Sequence, residues 1–169
     1  MRRRTAPLKA IAMGALMIVR SLNPAAASSR ADVRPLGKPL KGHTAQVEAV
    51  AVGKRSDGTP VIVSAGYDKT VRIWDLDTGK ALGKPLKGHK GEIYDVAVGR
   101  RSDGTPVIVS GDGGGLSVWD LDTGDRIGGP FAGHTRAIFA LAIGKRSDGT
   151  PVAISGGLDK TIRVWSLGS

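Results

Sequence analysis

The chain has 169 residues, enough for one domain with a short appendage. Its 25 Gly and 9 Pro stand beside 40% apolar residues, too hydrophobic for a disordered polymer and too turn-rich for a helical bundle. The absence of cysteine excludes a disulfide framework, thiolate-bound zinc, an iron–sulfur cluster and a Cys nucleophile, and three His are few for a His-rich metal site.

The first segment is residues 1–34. It carries Arg2, Arg3, Arg4, Lys9, Arg20, Arg30 and Arg34 against Asp32 alone, so +6 of the net charge of +10 belongs to it. The rest is only mildly basic, and the overall charge says little about partners. A basic start, an apolar stretch from Ala10 to Val19 and the small residues Ala25, Ala26 and Ala27 follow the layout of a secretory signal. Ten apolar residues are too few for a transmembrane span, which needs about 20. Arg20, directly behind that stretch, argues against export and toward a disordered basic tail, which favours a cytoplasmic chain.

Beyond the leader the chain repeats. Leu36-Gly-Lys-Pro-Leu-Lys-Gly-His43 recurs unchanged at Leu82–His89 and more loosely at Ile127–His134. Ser56–Pro60 recurs at Ser102–Pro106 and Ser147–Pro151, and Trp74–Gly79 at Trp119–Gly124, with Trp165-Ser166-Leu167 as a shortened third copy. The units are 35–80, 81–125 and 126–169, each about 45 residues, a period typical of repeat architectures. Val50–Ser64 and Val96–Ser110 differ only at Lys54 against Arg100, which suits recent duplication.

Each unit predicts strands. Val47–Val52, Ile93–Val98 and Ile138–Ile143 are short runs rich in Val, Ile and Ala. Pro60–Ser64, Pro106–Ser110 and Pro151–Ser155 each begin with a proline, which the first residue of a strand tolerates. Val71–Trp74, Leu116–Trp119 and Ile162–Trp165 alternate in polarity. Turn residues separate these runs, and the Lys-Pro-Leu-Lys piece reads as a fourth strand whose Lys and Pro suit an outer edge. No stretch carries a helical period, so the expectation is all-β.

Gly42-His43…Trp74-Asp75, Gly88-His89…Trp119-Asp120 and Gly133-His134…Trp165-Ser166 resemble the WD40-repeat β-propeller family across residues 35–167. The resemblance implies three four-stranded blades, each beginning on its outer strand. It also implies a hydrogen-bonded chain of His, Ser, Asp and Trp in each blade: His43, Ser64, Asp68 and Trp74 in the first, His134, Ser155, Asp159 and Trp165 in the third. The second keeps His89, Ser110 and Trp119. Its Asp112, however, lies seven residues before the Trp rather than six, where Gly113 stands, so its acidic member is in doubt and this blade is expected to be the weakest.

Propellers usually have four to eight blades. Three form a partial propeller, either completed by oligomerisation, as a homodimer sharing a six-bladed ring, or belonging to a larger ring.

Other motifs read as scaffold. The histidines recur evenly on separate blades, as structural residues do, so no catalytic set is implied. Gly111–Gly115 lacks the Lys-Ser/Thr of a phosphate loop, and Asp75–Gly79 and Asp120–Gly124 lack the spacing of a calcium loop. No cofactor or metal follows. The pairs Lys54-Arg55, Arg100-Arg101 and Lys145-Arg146 are read as a solvated loop face beside Asp57, Asp103 and Asp148; an anion or nucleic acid is the less favoured partner for them. By family analogy the rim that receives partners carries Glu48, Tyr94 and Phe139 at one position, Tyr67 and Leu158 at another, and Gln46 and Glu92, with Ala137, at a third. The function implied is a non-enzymatic scaffold for a protein or peptide. The competing readings are an incomplete propeller without independent function and a basic-loop propeller for nucleic acid.

Overall fold

A computed structural model describes residues 33–168. The signal-like layout within residues 1–32 lies outside the described residues. Ten strands follow in chain order: β1 Val47–Lys54, β2 Pro60–Gly66, β3 Val71–Asp75, β4 Ile93–Arg100, β5 Pro106–Asp112, β6 Leu116–Asp120, β7 Arg126–Phe131, β8 Ile138–Lys145, β9 Pro151–Gly157 and β10 Ile162–Ser166. They form three antiparallel sheets, ordered β1-β2-β3, β4-β5-β6-β7 and β8-β9-β10, and no helix occurs among the described residues. This is an all-β partial propeller that does not close.

Turn chemistry sets the hairpins. In the β1–β2 connection Gly58 adopts φ of 88°, and the Asp57 carboxylate accepts the Thr59 amide at 2.9 Å. The same turn recurs with Gly104 (87°) and Gly149 (86°). The register follows: Val50 faces Ser64, Val96 faces Ser110 and Leu141 faces Ser155.

The outer strands differ among the units. Residues 81–86 close the first sheet through bridges Val71–Leu86 and Trp74–Ala81, and the Leu82 amide donates to the Ile73 carbonyl at 2.8 Å. The third copy of the motif is the regular strand β7, paired with β6. The first copy forms no strand, and β10 has no partner on its outer side among the described residues. Each outer strand therefore completes the sheet before it.

Successive sheets pack face to face. Val61, Val63, Val71 and Ile73 of the first meet Ile93, Val96 and Ile108 of the second in one core cluster. Val107, Val109, Leu116 and Val118 of the second meet Ile138 and Ala153 of the third in another. Burial of each such side chain contributes roughly 1.5–3 kcal/mol, so the two inter-sheet layers dominate cohesion. Asp95, on β4, accepts the Val96 amide at 2.8 Å and, from the neighbouring sheet, the Leu141 amide at 2.6 Å. Burial pushes this carboxyl above its ordinary range, and the two amides hold it partly back.

Candidate functional site

One hydrogen-bonded chain recurs in all three sheets. In the first, the Trp74 indole N–H donates to Ser64 Oγ at 2.8 Å, His43 Nε2 is 2.7 Å from the same oxygen, and His43 Nδ1 is 2.8 Å from Asp68 Oδ2. In the third, Trp165, Ser155, His134 and Asp159 repeat these contacts at 2.8, 2.7 and 2.8 Å. Proton inventory sets the direction. The indole can only donate and an ionised carboxylate can only accept, so Ser donates to Nε2 and His donates from Nδ1. A neutral imidazole with its proton on Nδ1 satisfies every member. Thr70 and Thr161 hydroxyls add bonds of 2.8 Å to their carboxylates. Burial raises the Asp68 and Asp159 pKa values, but the Thr, amide and His hydrogen bonds outweigh it and both lie below the ordinary range.

The second sheet corrects the doubt over its acidic member. Asp112 supplies it: Oδ2 is 2.8 Å from His89 Nδ1, while Ser110 Oγ bonds His89 Nε2 at 2.7 Å and Trp119 Nε1 at 2.8 Å. Asp112 takes the end-of-strand register that Gly66 and Gly157 hold in the other sheets. A Cβ on Gly66 would lie 2.0 Å from the Gln46 carbonyl oxygen, so the first sheet has no room for this arrangement. The shortened turn makes room and brings the Gly114 and Gly115 amides to Asp112 Oδ1 at 2.6 and 2.9 Å. Burial raises the Asp112 pKa, but the His89 bond and these amides prevail and hold it at about 2. Gly111–Gly115 is thus a carboxylate-anchored turn. The reason for expecting this blade to be the weakest falls with it: its strand β5 is buried throughout.

A second compensation was not legible beforehand. Arg72 and Arg163 lie against Gly42 and Gly133, but the equivalent position in the second sheet is Ser117. Arg126, from outer strand β7, supplies the guanidinium instead. Its Nη2 donates to Ser117 Oγ at 2.6 Å, and its Cζ lies 5.3 Å from the Trp119 ring centre.

The rim residues separate into two groups. Tyr67, Tyr94 and Phe139 come together across three sheets, with ring centres 6.1 Å apart for Tyr67–Tyr94 and 4.5 Å for Tyr94–Phe139. The Tyr94 hydroxyl donates to Glu92 at 3.0 Å, and that bond, with burial and the nearby charge, raises its pKa. Gln46 donates to Glu48 at 2.9 Å, and both are exposed. Leu158 is exposed and has no ring contact with the aromatic group.

The arginine pairs are not uniformly solvated. Arg55 Nη2 donates to the Asp122 carbonyl, its Nε lies 3.5 Å from Asp122 Oδ1, and the Ser56 amide donates to that oxygen at 3.0 Å. Arg101 reaches the Gly168 carbonyl at 3.3 Å. Both tie one sheet to the next, a role that two adjacent basic residues do not signal in sequence.

Repeated antiparallel sheets of three or four strands, each with the same polar chain, define a propeller-type repeat protein. The family model "WD domain, G-beta repeat" matches residues 34–75, 79–120 and 127–166. The chain belongs to the WD40-repeat family. Comparison with curated proteins gave no significant match. WD40 repeats generally mediate protein–protein interaction and are typically non-enzymatic scaffolds. No helix among the described residues is long and apolar enough to cross a membrane, and no cluster of His and acidic side chains suits a metal ion among them.

Proposed function

We propose that the chain is a non-enzymatic scaffold that displays its rim to a protein or peptide partner. The observation that carries this reading is the aromatic array of Tyr67, Tyr94 and Phe139. These rings are only half-buried or exposed, so they retain surface for a partner. Aromatic side chains offer large contact area at low entropic cost and are enriched at binding hot spots. Glu48, Gln46 and Glu92 border the array as a polar, acidic margin, and Leu158 adds an apolar point on the third blade. The buried His–Ser–Asp–Trp chains act at a distance, by holding the strands that carry the array.

The test is selection of a displayed random-peptide library on the 169-residue chain. Selected peptides should lose at least about tenfold in affinity on Tyr94→Ser or Phe139→Ser, a loss of about 1.4 kcal/mol or more. Peptides that bind both variants as well as the unaltered chain would place the binding surface elsewhere.

A further inference from the structure

Three features at each inter-sheet junction recur at the two ends of the stack without a partner. The first is a glycine. Gly53, Gly99 and Gly144 hold equivalent register in β1, β4 and β8. A Cβ on Gly53 would lie 2.4 Å from Val98 Cγ1, and one on Gly99 would lie 2.6 Å from Ile143 Cγ2. On Gly144 it would meet nothing within 4 Å. None of the three has a positive φ, so close approach of the next sheet is what demands glycine. The residue equivalent to Val98 and Ile143 on the first sheet is Val52, 70% exposed.

The second feature is charge. Arg55 binds Asp122 of the following sheet, and Arg101 binds Gly168 of the one after. The next arginine in this series is Arg146, and the first-sheet position equivalent to Asp122 is Asp77. Both are exposed. Opposite charges therefore stand at opposite ends of the stack, at the positions that Arg55 and Asp122 pair at the first junction, while Arg101 meets the Gly168 backbone carbonyl at the second.

The third is apolar surface and strand edge. Val50 is 68% exposed where its equivalent Val96 is 4%, and Ile162 is 77% exposed where its equivalent Val71 is fully buried. Beside Val50 and Val52 an open groove of about 570 Å³ reaches Leu40, Ile62 and Trp74. Residues 37–42 form no strand, yet Leu40 already rests against Gly79 as Leu86 rests against Gly124, with a Cβ on either glycine 2.8 or 2.9 Å away. Leu86 pairs with Val71. The equivalent partner for Leu40 is Ile162, on the edge of β10 that pairs with no strand among the described residues.

We propose that a second copy of this chain covers both ends. Residues 37–42 of each copy pair with β10 of the other, Val52 packs over the other copy's Gly144, and Arg146 meets the other copy's Asp77. The end surfaces differ, so the contact is head-to-tail, and such contacts close into a ring when the rotation permits. Propellers have about four to eight blades. One copy supplies three, too few, and three copies would exceed the range; two copies supply six. Self-association engages the ends and not the rim, so it stands or falls separately from peptide binding.

Light scattering behind a sizing column measures it on the full chain. The expected mass is twice the 17.5 kDa of one chain. Arg146→Asp and Asp77→Arg should each weaken association at least tenfold, and the two together should restore it. Both side chains are exposed, so near-ultraviolet dichroism of the tryptophans should keep its native form in all three variants. A monomer at all concentrations, an open-ended polymer, single variants that dimerise normally, or a double variant without rescue would each overturn the proposal.

Discussion

Replacing Ser110 with Ala probes the polar chain most sharply. Ser110 Oγ accepts from Trp119 Nε1 and donates to His89 Nε2, and Ser110 is fully buried. Its loss orphans one donor and one acceptor in a layer closed by sheets on both sides. An orphaned buried polar group costs about 1–3 kcal/mol. Some relaxation of the imidazole leaves an expected total of about 3 kcal/mol, or about 10 °C in Tm for a domain of this size. Ser155→Ala removes the same hydroxyl in the end sheet, where Trp165 is only half-buried and water can reach its indole. The expected cost there is about 1 kcal/mol. Urea unfolding followed by tryptophan fluorescence and far-ultraviolet dichroism measures both. A Ser110→Ala cost under about 1 kcal/mol would refute the assignment of Ser110 as the shared hinge of the network. A Ser155→Ala cost as large as that of Ser110→Ala, at concentrations where the chain is monomeric, would refute the role given to burial.

Further outcomes are expected. Gly99→Ala should destabilise the chain by about 1–3 kcal/mol through overpacking against Ile143, whereas Gly144→Ala should leave monomer stability within about 0.5 kcal/mol, read from the same urea midpoints. Asp112 is held at about 2, below the ordinary carboxylate value of 3.8, so its contribution is complete above about pH 4 and is lost as pH falls toward 2. Asp112→Asn should remove part of the acid sensitivity between pH 5 and 2; an unchanged pH dependence would contradict the role given to its hydrogen bonds. Asp95 has the opposite sign: its raised pKa makes the ionised form a cost at neutral pH, and Asp95→Asn removes that cost but can accept from only one of the Leu141 and Val96 amides, so the urea midpoint at pH 7 should report a net change within about 1 kcal/mol. Arg126→Ala should cost about 1–2 kcal/mol through loss of the Ser117 bond and the Trp119 contact, and should shift the tryptophan fluorescence of the second sheet.

The three inner strands of each unit and their turns were legible in the sequence because each depends on short-range chemistry repeated three times; the polar chains followed from the family resemblance, and the fourth strand expected of the first motif copy does not form among the described residues. Alternation sets a strand's faces, Ser-Asp-Gly sets a hairpin, and a Gly-His followed 31, 30 and 31 residues later by a Trp marks two members of each network. The second acidic member was not legible. Counting back from Trp119 points to Gly113, but a shortened turn changes which side chain reaches the imidazole, and the fold puts Asp112 at the strand end with two glycine amides on its other oxygen. Arg126 escaped for the same reason, since it replaces a residue from a different strand. Tertiary structure also decided which valines are core. Val52 and Val98 have the same sequence surroundings, yet one is exposed and the other packs against a neighbouring sheet. Local sequence determines the blade; what covers a blade is determined by the blade beside it, a contact between residues about 45 positions apart that no local pattern encodes.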